Sequence, residues 1–184
     1  MLVPEYPLRL KTGETVLING STGGVGHFAV QIAEAQGAIV TAVCSSKSKD
    51  FALSLGADHV LCYDKTNLKE HNQQYDLVID NHGNLSLDDF KRLGKRGVIV
   101  GFTEMKSMMT LMLRSSFSKF PLAQFTAEAN TTDLETLANF IKSGEVKPYI
   151  EKTYPYAKIP EAIGYIEAMH TKGKVAMVWD ESGV

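Results

Sequence analysis

The sequence lacks the features of a membrane, secreted or nucleic-acid-binding protein. It has two cysteines, Cys44 and Cys62, in 184 residues, and each lies inside an apolar run. No C-x-x-C pair and no Cys/His cluster at ligand spacing occurs, so no structural zinc site or other metal site is expected. Two small buried hydrophobes in a reducing compartment are expected instead. Basic excess is also missing: 19 Lys and Arg face 21 Asp and Glu, for a net charge of −2, and no basic run could track phosphates. That argues against nucleic acid as a partner. The most apolar stretch, Val98 to Leu113, is interrupted by Glu104 and Lys106, so no membrane span is expected. The N-terminus carries Glu5 and the prolines Pro4 and Pro7, where a secretory signal has a basic flank and an apolar core. A cytoplasmic chain with one sizeable core is the expectation.

What is present is alternation. Thr15–Asn19 (TVLIN), Ile39–Cys44 (IVTAVC), His59–Cys62, Tyr75–Asp80 (YDLVID) and Gly97–Gly101 read as strands, with Phe120–Phe125 as a sixth. Amphipathic segments lie between them. Val25, Phe28, Ala29, Ile32 and Ala33 recur at helical spacing before the stop at Gly37, and Phe51–Leu55 belong to a helix closed by Gly56. Continuous apolar strands separated by helices predict an α/β fold: a Rossmann-type, doubly wound, mostly parallel six-stranded sheet covered on both faces. Thr132-Asp-Leu-Glu135 reads as a capping box opening a helix with Leu134, Leu137, Ala138 and Ile141 on one face and Gly144 as its stop. The tail differs in kind. Lys147–Tyr156 looks extended, Pro160 starts a helix bearing Ala162, Ile163, Ile166 and Met169, and Lys174–Trp179 is a final strand.

Chemistry concentrates at Gly20-Ser-Thr-Gly-Gly-Val-Gly26, where the first strand runs into the first helix. A pyrophosphate needs bare main-chain N–H groups and the positive end of a helix dipole. Gly23 allows that approach, and Gly26 lets the helix pack closely on the strand. The literal G-x-G-x-x-G pattern is not met, because Ser21 stands where a glycine belongs. NAD-binding folds carry an acid about 20 residues further on, to accept ribose hydroxyls. That position here is Ser45-Ser46-Lys47-Ser48-Lys49, with no acid before Asp50. Hydroxyls and ammonium groups suit a 2′-phosphate, and NADPH is the expected cofactor.

Gly-Glu-Thr-Val-Leu-Ile-Asn-Gly-Ser-Thr-Gly-Gly-Val-Gly-His-Phe-Ala-Val-Gln-Ile-Ala, then Leu-Gly-Ala-Asp-His-Val-Leu-Cys-Tyr, resembles the quinone oxidoreductases of the zinc-independent medium-chain dehydrogenase/reductase superfamily. Ser-Gly-Glu-Val-Lys-Pro-Tyr-Ile-Glu-Lys-Thr-Tyr-Pro and Thr-Lys-Gly-Lys-Val-Ala in the tail agree, so the resemblance runs from Lys11 to Trp179. It implies NADPH-dependent reduction of a small-molecule quinone or α,β-unsaturated carbonyl by hydride transfer. It places Ser21, Thr22, Gly23, Gly24, Val25 and Gly26 at the pyrophosphate. Ser45, Ser46, Lys49 and Tyr63 would surround the adenosine 2′-phosphate, and Asn81, Gly101 and Phe102 would line the nicotinamide side. It also implies a homodimer joined through the edge strand Phe120–Phe125. In this family a chaperonin-10-like catalytic domain precedes the nucleotide-binding one. Residues 1–145 are therefore expected to form the dinucleotide domain, and residues 146–184 a segment whose strands pair into that other domain. No catalytic residue is assigned. Two further readings stay open: a non-catalytic NADPH-binding module or redox sensor, and the enoyl-reductase domain of a polyketide synthase.

Other signals are weaker. Tyr154-Pro-Tyr-Ala-Lys158 matches the Tyr-x-x-x-Lys pair of short-chain dehydrogenases. That pair needs both side chains on one helix, which Pro155 and Pro160 oppose. His27 and His82 lie near the expected cleft and read as exposed or packing residues, and His59, His71 and His170 lack metal spacing. Met105, Met108, Met109 and Met112 fall at helical spacing, as a core-facing stripe or as the roof of an apolar substrate pocket.

Overall fold

Val16, Leu17 and Ile18 are consecutive and have no exposed surface. A strand buried on both faces needs cover on both sides. The computed structural model, which describes residues 10–101, 105–124, 131–168 and 171–179, supplies that cover. Strands β1 (Thr15–Asn19), β2 (Ile39–Cys44), β3 (His59–Cys62), β4 (Leu77–Asp80), β5 (Gly97–Ile99) and β6 (Leu122–Gln124) form one sheet in the order β3-β2-β1-β4-β5-β6. Every pairing in it is parallel. Helices α1 (Gly26–Ala35), α2 (Lys49–Ser54), α3 (Leu87–Leu93) and α4 (Met105–Ser116) connect the strands. Val16 and Ile18 pack with Val30 and Ala33 of α1, while Leu17 packs with Phe90 and Leu93 of α3. The period of two along the strand thus feeds two cores, one on each side of the sheet.

Local stops behave as the sequence predicts. Gly37 and Gly56 take positive φ angles. The N–H of Ala38 reaches Ala33 O and that of Ala57 reaches Ala52 O, closing both helices. The strand order reverses between β1 and β4, which leaves a crevice at their carboxyl ends. Ligands of such sheets sit there.

The tail folds as a second small unit. α5 (Thr131–Ser143) leads to β7 (Ile150–Pro155), α6 (Ile159–Glu167) and β8 (Lys174–Val178), and β7 and β8 pair in parallel with each other. They lie against the carboxyl-end face of the larger sheet. Gln31 of α1 brackets the tail backbone, accepting from the N–H of Lys147 at 2.8 Å and donating to its carbonyl at 3.1 Å. The rings of Phe51 and Tyr149 meet at 4.5 Å. No helix among the described residues is long and apolar enough to cross a membrane.

Several expectations are corrected. α5 begins at Thr131, so Thr132 lies inside its first turn and does not cap it. Leu134 and Ile141 are 60% and 48% exposed, and Ile163 and Ile166 are also exposed. Periodicity reports an apolar face but not what covers it. Met109 faces outward at 60% exposure, against the core-stripe reading, whereas Leu111 packs on the core. Cys62 is only half-buried. Met169, His170 and Phe102 lie outside the described residues, as do the side chains of Met105, Met108 and Met112. As Pro155 and Pro160 lead one to expect, Tyr154 sits on β7 and Lys158 ends a 3-10 turn, so the two do not share a helix.

Candidate functional site

The crevice opens on the glycine turn. Gly26 touches the chain it leaves: a Cβ there would stand 2.0 Å from Gly20 O. Only a glycine lets the first helical turn come down onto the strand end. Ser21 is fully buried behind the turn, donating both its N–H (3.2 Å) and its hydroxyl (3.0 Å) to Val43 O. It braces the turn from the β2 side. Among the described residues, the N–H groups of Thr22, Gly24, Val25 and Gly26 take no partner. The first turn of α1 carries no acid. Four open donors at a helix start form an anion cradle.

The tail completes this cradle, which sequence reading missed. Gly173 donates its N–H to Thr22 O at 2.8 Å. Lys174 then lies along the turn, where a Cβ on Gly24 would be 3.4 Å from its Nζ. Gly173 has φ +62, and a Cβ there would stand 2.4 Å from Tyr149 O, so the close passage requires glycine. His27 is buried beneath. One ring nitrogen, Nδ1, is 3.0 Å from Gly23 O, and Nε2 is 3.4 Å from the N–H of Tyr149. A carbonyl needs a donor and an N–H needs an acceptor, so the arrangement calls for the neutral ring protonated on Nδ1. Burial, aided by the charge of Lys174 and opposed by the Gly23 bond, pushes the His27 pKa below its ordinary value. Here the packing reading of His27 holds.

At the second strand end, Tyr63 is 59% exposed, and Lys47 and Lys49 are exposed beside it. The Ser45 hydroxyl is tied to that of Ser48 at 3.3 Å. Ser46 donates its N–H at 2.7 Å and its hydroxyl at 2.5 Å to the carboxylate of Asp64. These two bonds hold Asp64 below the usual carboxylate range. Lys172 reaches in from the tail and donates to Lys47 O at 3.3 Å. Cys44 lies beneath, its thiol pushed up to about 11 by burial, which makes it a poor nucleophile. Neither Asp64 nor Lys172 stands out in sequence.

On the far side of the crevice, Asp80 is a buried carboxylate with four donors. Asn19 Nδ2 (2.8 Å), His82 N–H (3.0 Å) and Gly83 N–H (2.9 Å) reach Oδ1, and Leu85 N–H (2.9 Å) reaches Oδ2. This cap winds residues 81–85 into a fixed loop. Asn81 leaves it toward the crevice, donating Nδ2 to Asn19 O at 3.2 Å. Its Oδ1 is buried without a partner among the described residues. Gly101 closes on the same point, where a Cβ would stand 2.5 Å from Asn81 O. Asn81, Gly101 and the glycine turn are therefore brought together, with Gly20 in contact range of Asn81. A ligand that offers phosphates at one end and an amide N–H at the other fits these groups. Among the described residues, no three His, Cys, Asp or Glu side chains come together as a metal site.

Residues 55–177 match the family model described as zinc-binding dehydrogenase. The mitochondrial NAD(P)H oxidoreductase RTN4IP1 of Bos taurus is 31% identical over 90% of this chain and 48% of its own length. The chloroplast envelope quinone oxidoreductase homolog of Arabidopsis thaliana is 31% identical over 87% of this chain and 51% of its own. The solved quinone oxidoreductase of Coxiella burnetii superimposes with a TM-score of 0.80 at 24% identity, covering 92% of this chain and 54% of that one. At that identity the likeness establishes the fold alone. The chain spans about half the length of the relatives it matches.

Proposed function

The chain belongs to the zinc-binding dehydrogenase family of medium-chain dehydrogenases/reductases, and from that premise we propose that it is the cofactor-holding portion of an NADPH-dependent oxidoreductase acting on quinones or α,β-unsaturated carbonyls. The observation that carries this reading is the cradle: four unpartnered N–H groups at the start of α1, with Lys174 alongside and Asn81, whose Oδ1 is buried without a partner among the described residues, in contact range of Gly20. Thr22, Gly24, Val25 and Gly26 hold the pyrophosphate through their N–H groups, with Gly23 keeping the approach bare and Ser21 bracing them from behind. Ser45, Ser46, Lys49 and Tyr63 surround the adenosine 2′ position. Asn81 accepts from the carboxamide, and Gly101 and Phe102 border the nicotinamide.

A bound nicotinamide supplies the hydride. The chain's own part is to fix its orientation by the Asn81 and main-chain contacts, beside the tail residues that pack on the glycine turn. In this reading residues 1–145 are the dinucleotide domain and residues 146–184 return to the substrate half. The β6 edge joins two copies, and free thiols at Cys44 and Cys62 suit a reducing compartment such as the cytoplasm. Calorimetric titration with NADPH is the test. Micromolar binding that vanishes in Gly24→Glu, which would place a carboxylate in the cradle and pair it with Lys174, supports the assignment. Absence of binding by the native chain at millimolar cofactor rejects it.

A further inference from the structure

Dinucleotide-binding sheets choose between NADH and NADPH at the end of the second strand, where a carboxylate accepts the ribose hydroxyls or a cation takes the phosphate. The second strand here ends in Cys44 and leads into Ser45 and Ser46, with no carboxylate of its own. The tertiary structure delivers one from the neighbouring strand. β2 and β3 run parallel with Cys44 opposite Cys62, so the residues two places beyond that pair, Ser46 and Asp64, also stand side by side. Asp64 takes both donors of Ser46, the N–H at 2.7 Å and the hydroxyl at 2.5 Å.

Building on the dinucleotide reading above, we propose that Asp64 is a specificity-determining residue: it occupies the Ser46 donors that a 2′-phosphate needs, and so weakens the preference for NADPH over NADH. The competition follows from the inventory of the site. A phosphate is acceptor-only at neutral pH, as is a carboxylate, so the two cannot share the same N–H and O–H donors, and their like charges repel. A 2′-hydroxyl is different. It donates to the carboxylate and leaves the Ser46 pair in place. The cations that draw the phosphate remain nearby. Lys47 and Lys49 are exposed on the same segment, Lys65 follows Asp64, and Lys172 reaches Lys47 O from the tail; Asp50 is the other acid on this segment. Attraction from several lysines and competition from one carboxylate describe a site that favours NADPH by less than its lysines alone would give.

The test is calorimetry of the chain and of Asp64→Asn and Asp64→Ala with NADPH, NADH, 2′,5′-ADP and 5′-AMP. Asp64 is exposed, so both variants keep the fold, which near-ultraviolet circular dichroism checks. The expected result is a rise of about tenfold in the NADPH-to-NADH affinity ratio, the scale of one charge-assisted bond gained. The 2′,5′-ADP to 5′-AMP ratio should move in parallel. An unchanged ratio in both variants, with the native chain still binding both cofactors, overturns the role of Asp64 and leaves the dinucleotide site standing. Failure of the native chain to bind either cofactor overturns both.

Discussion

Tyr149 of the tail hydrogen-bonds, through its main-chain N–H, to Nε2 of the buried His27 at 3.4 Å. The opposite ring nitrogen holds Gly23 O. One imidazole thus couples the C-terminal segment to the glycine turn, and it can do so only while neutral.

That coupling has a pH signature. His27 has its pKa lowered from 6.5 by burial, so the unfolded chain binds its proton more readily than the folded one. The stabilisation is complete above the unfolded value and is lost as pH falls from there through the lower, folded value. Denaturant unfolding followed down through pH 6.5 should show a declining midpoint, and His27→Ala should flatten that limb. A variant limb as steep as the native one would remove His27 from the account.

Gly26→Ala should be damaging out of proportion to one methyl. Its Cβ would overlap Gly20 O, a main-chain atom that moves only if β1 or α1 moves. Overpacking of this kind costs about 1–3 kcal/mol or more. Thermal unfolding and NADPH titration should both report it, whereas Gly144→Ala, at a glycine with nothing near its Cβ position, should lose only what its positive φ imposes.

Lys174→Ala should weaken NADPH and NADH alike, by roughly fivefold each, because the pyrophosphate beside Gly24 is common to both. The affinity should also become less sensitive to salt. This separates Lys174 from Asp64, whose variants are expected to change the ratio of the two affinities. A selective loss of NADPH binding would place the Lys174 ammonium at the wrong phosphate.

Asp80→Asn should loosen the loop that presents Asn81. The amide nitrogen replaces an acceptor with a donor and leaves at least one of the His82, Gly83 or Leu85 N–H groups facing it. An unmet buried donor costs about 1–3 kcal/mol. Chemical denaturation should register that loss. Titration should register weaker NADPH binding, with 2′,5′-ADP, which lacks the nicotinamide end, much less affected.

The parts of this molecule that could be read in advance are those whose physics is local. TVLIN reads as a strand that needs cover on both faces, and Gly20 to Gly26 bend because few other residues allow the bend. Gly37 and Gly56 stop helices through their own φ angles. The succession of strands and helices along the chain and the mouth of α1 follow from such runs. Sequence spacing missed what lies between distant segments. Counting residues along the chain does not reach Asp64, because Ser46 meets it across strands, 18 residues away. Gly173, Lys174 and Tyr149 likewise entered only through contact.

By itself, then, the order of residues settled the alternation of strand and helix, the parallel sheet and the bare turn at the start of α1, since period, chirality and glycine freedom act within a few residues. Tertiary closure alone decided which carboxylate faces Ser46, which lysine lies along the turn and what keeps His27 neutral. Those depend on strand register and on how the tail docks, and register is set by the packing of the whole core rather than by any neighbouring pair.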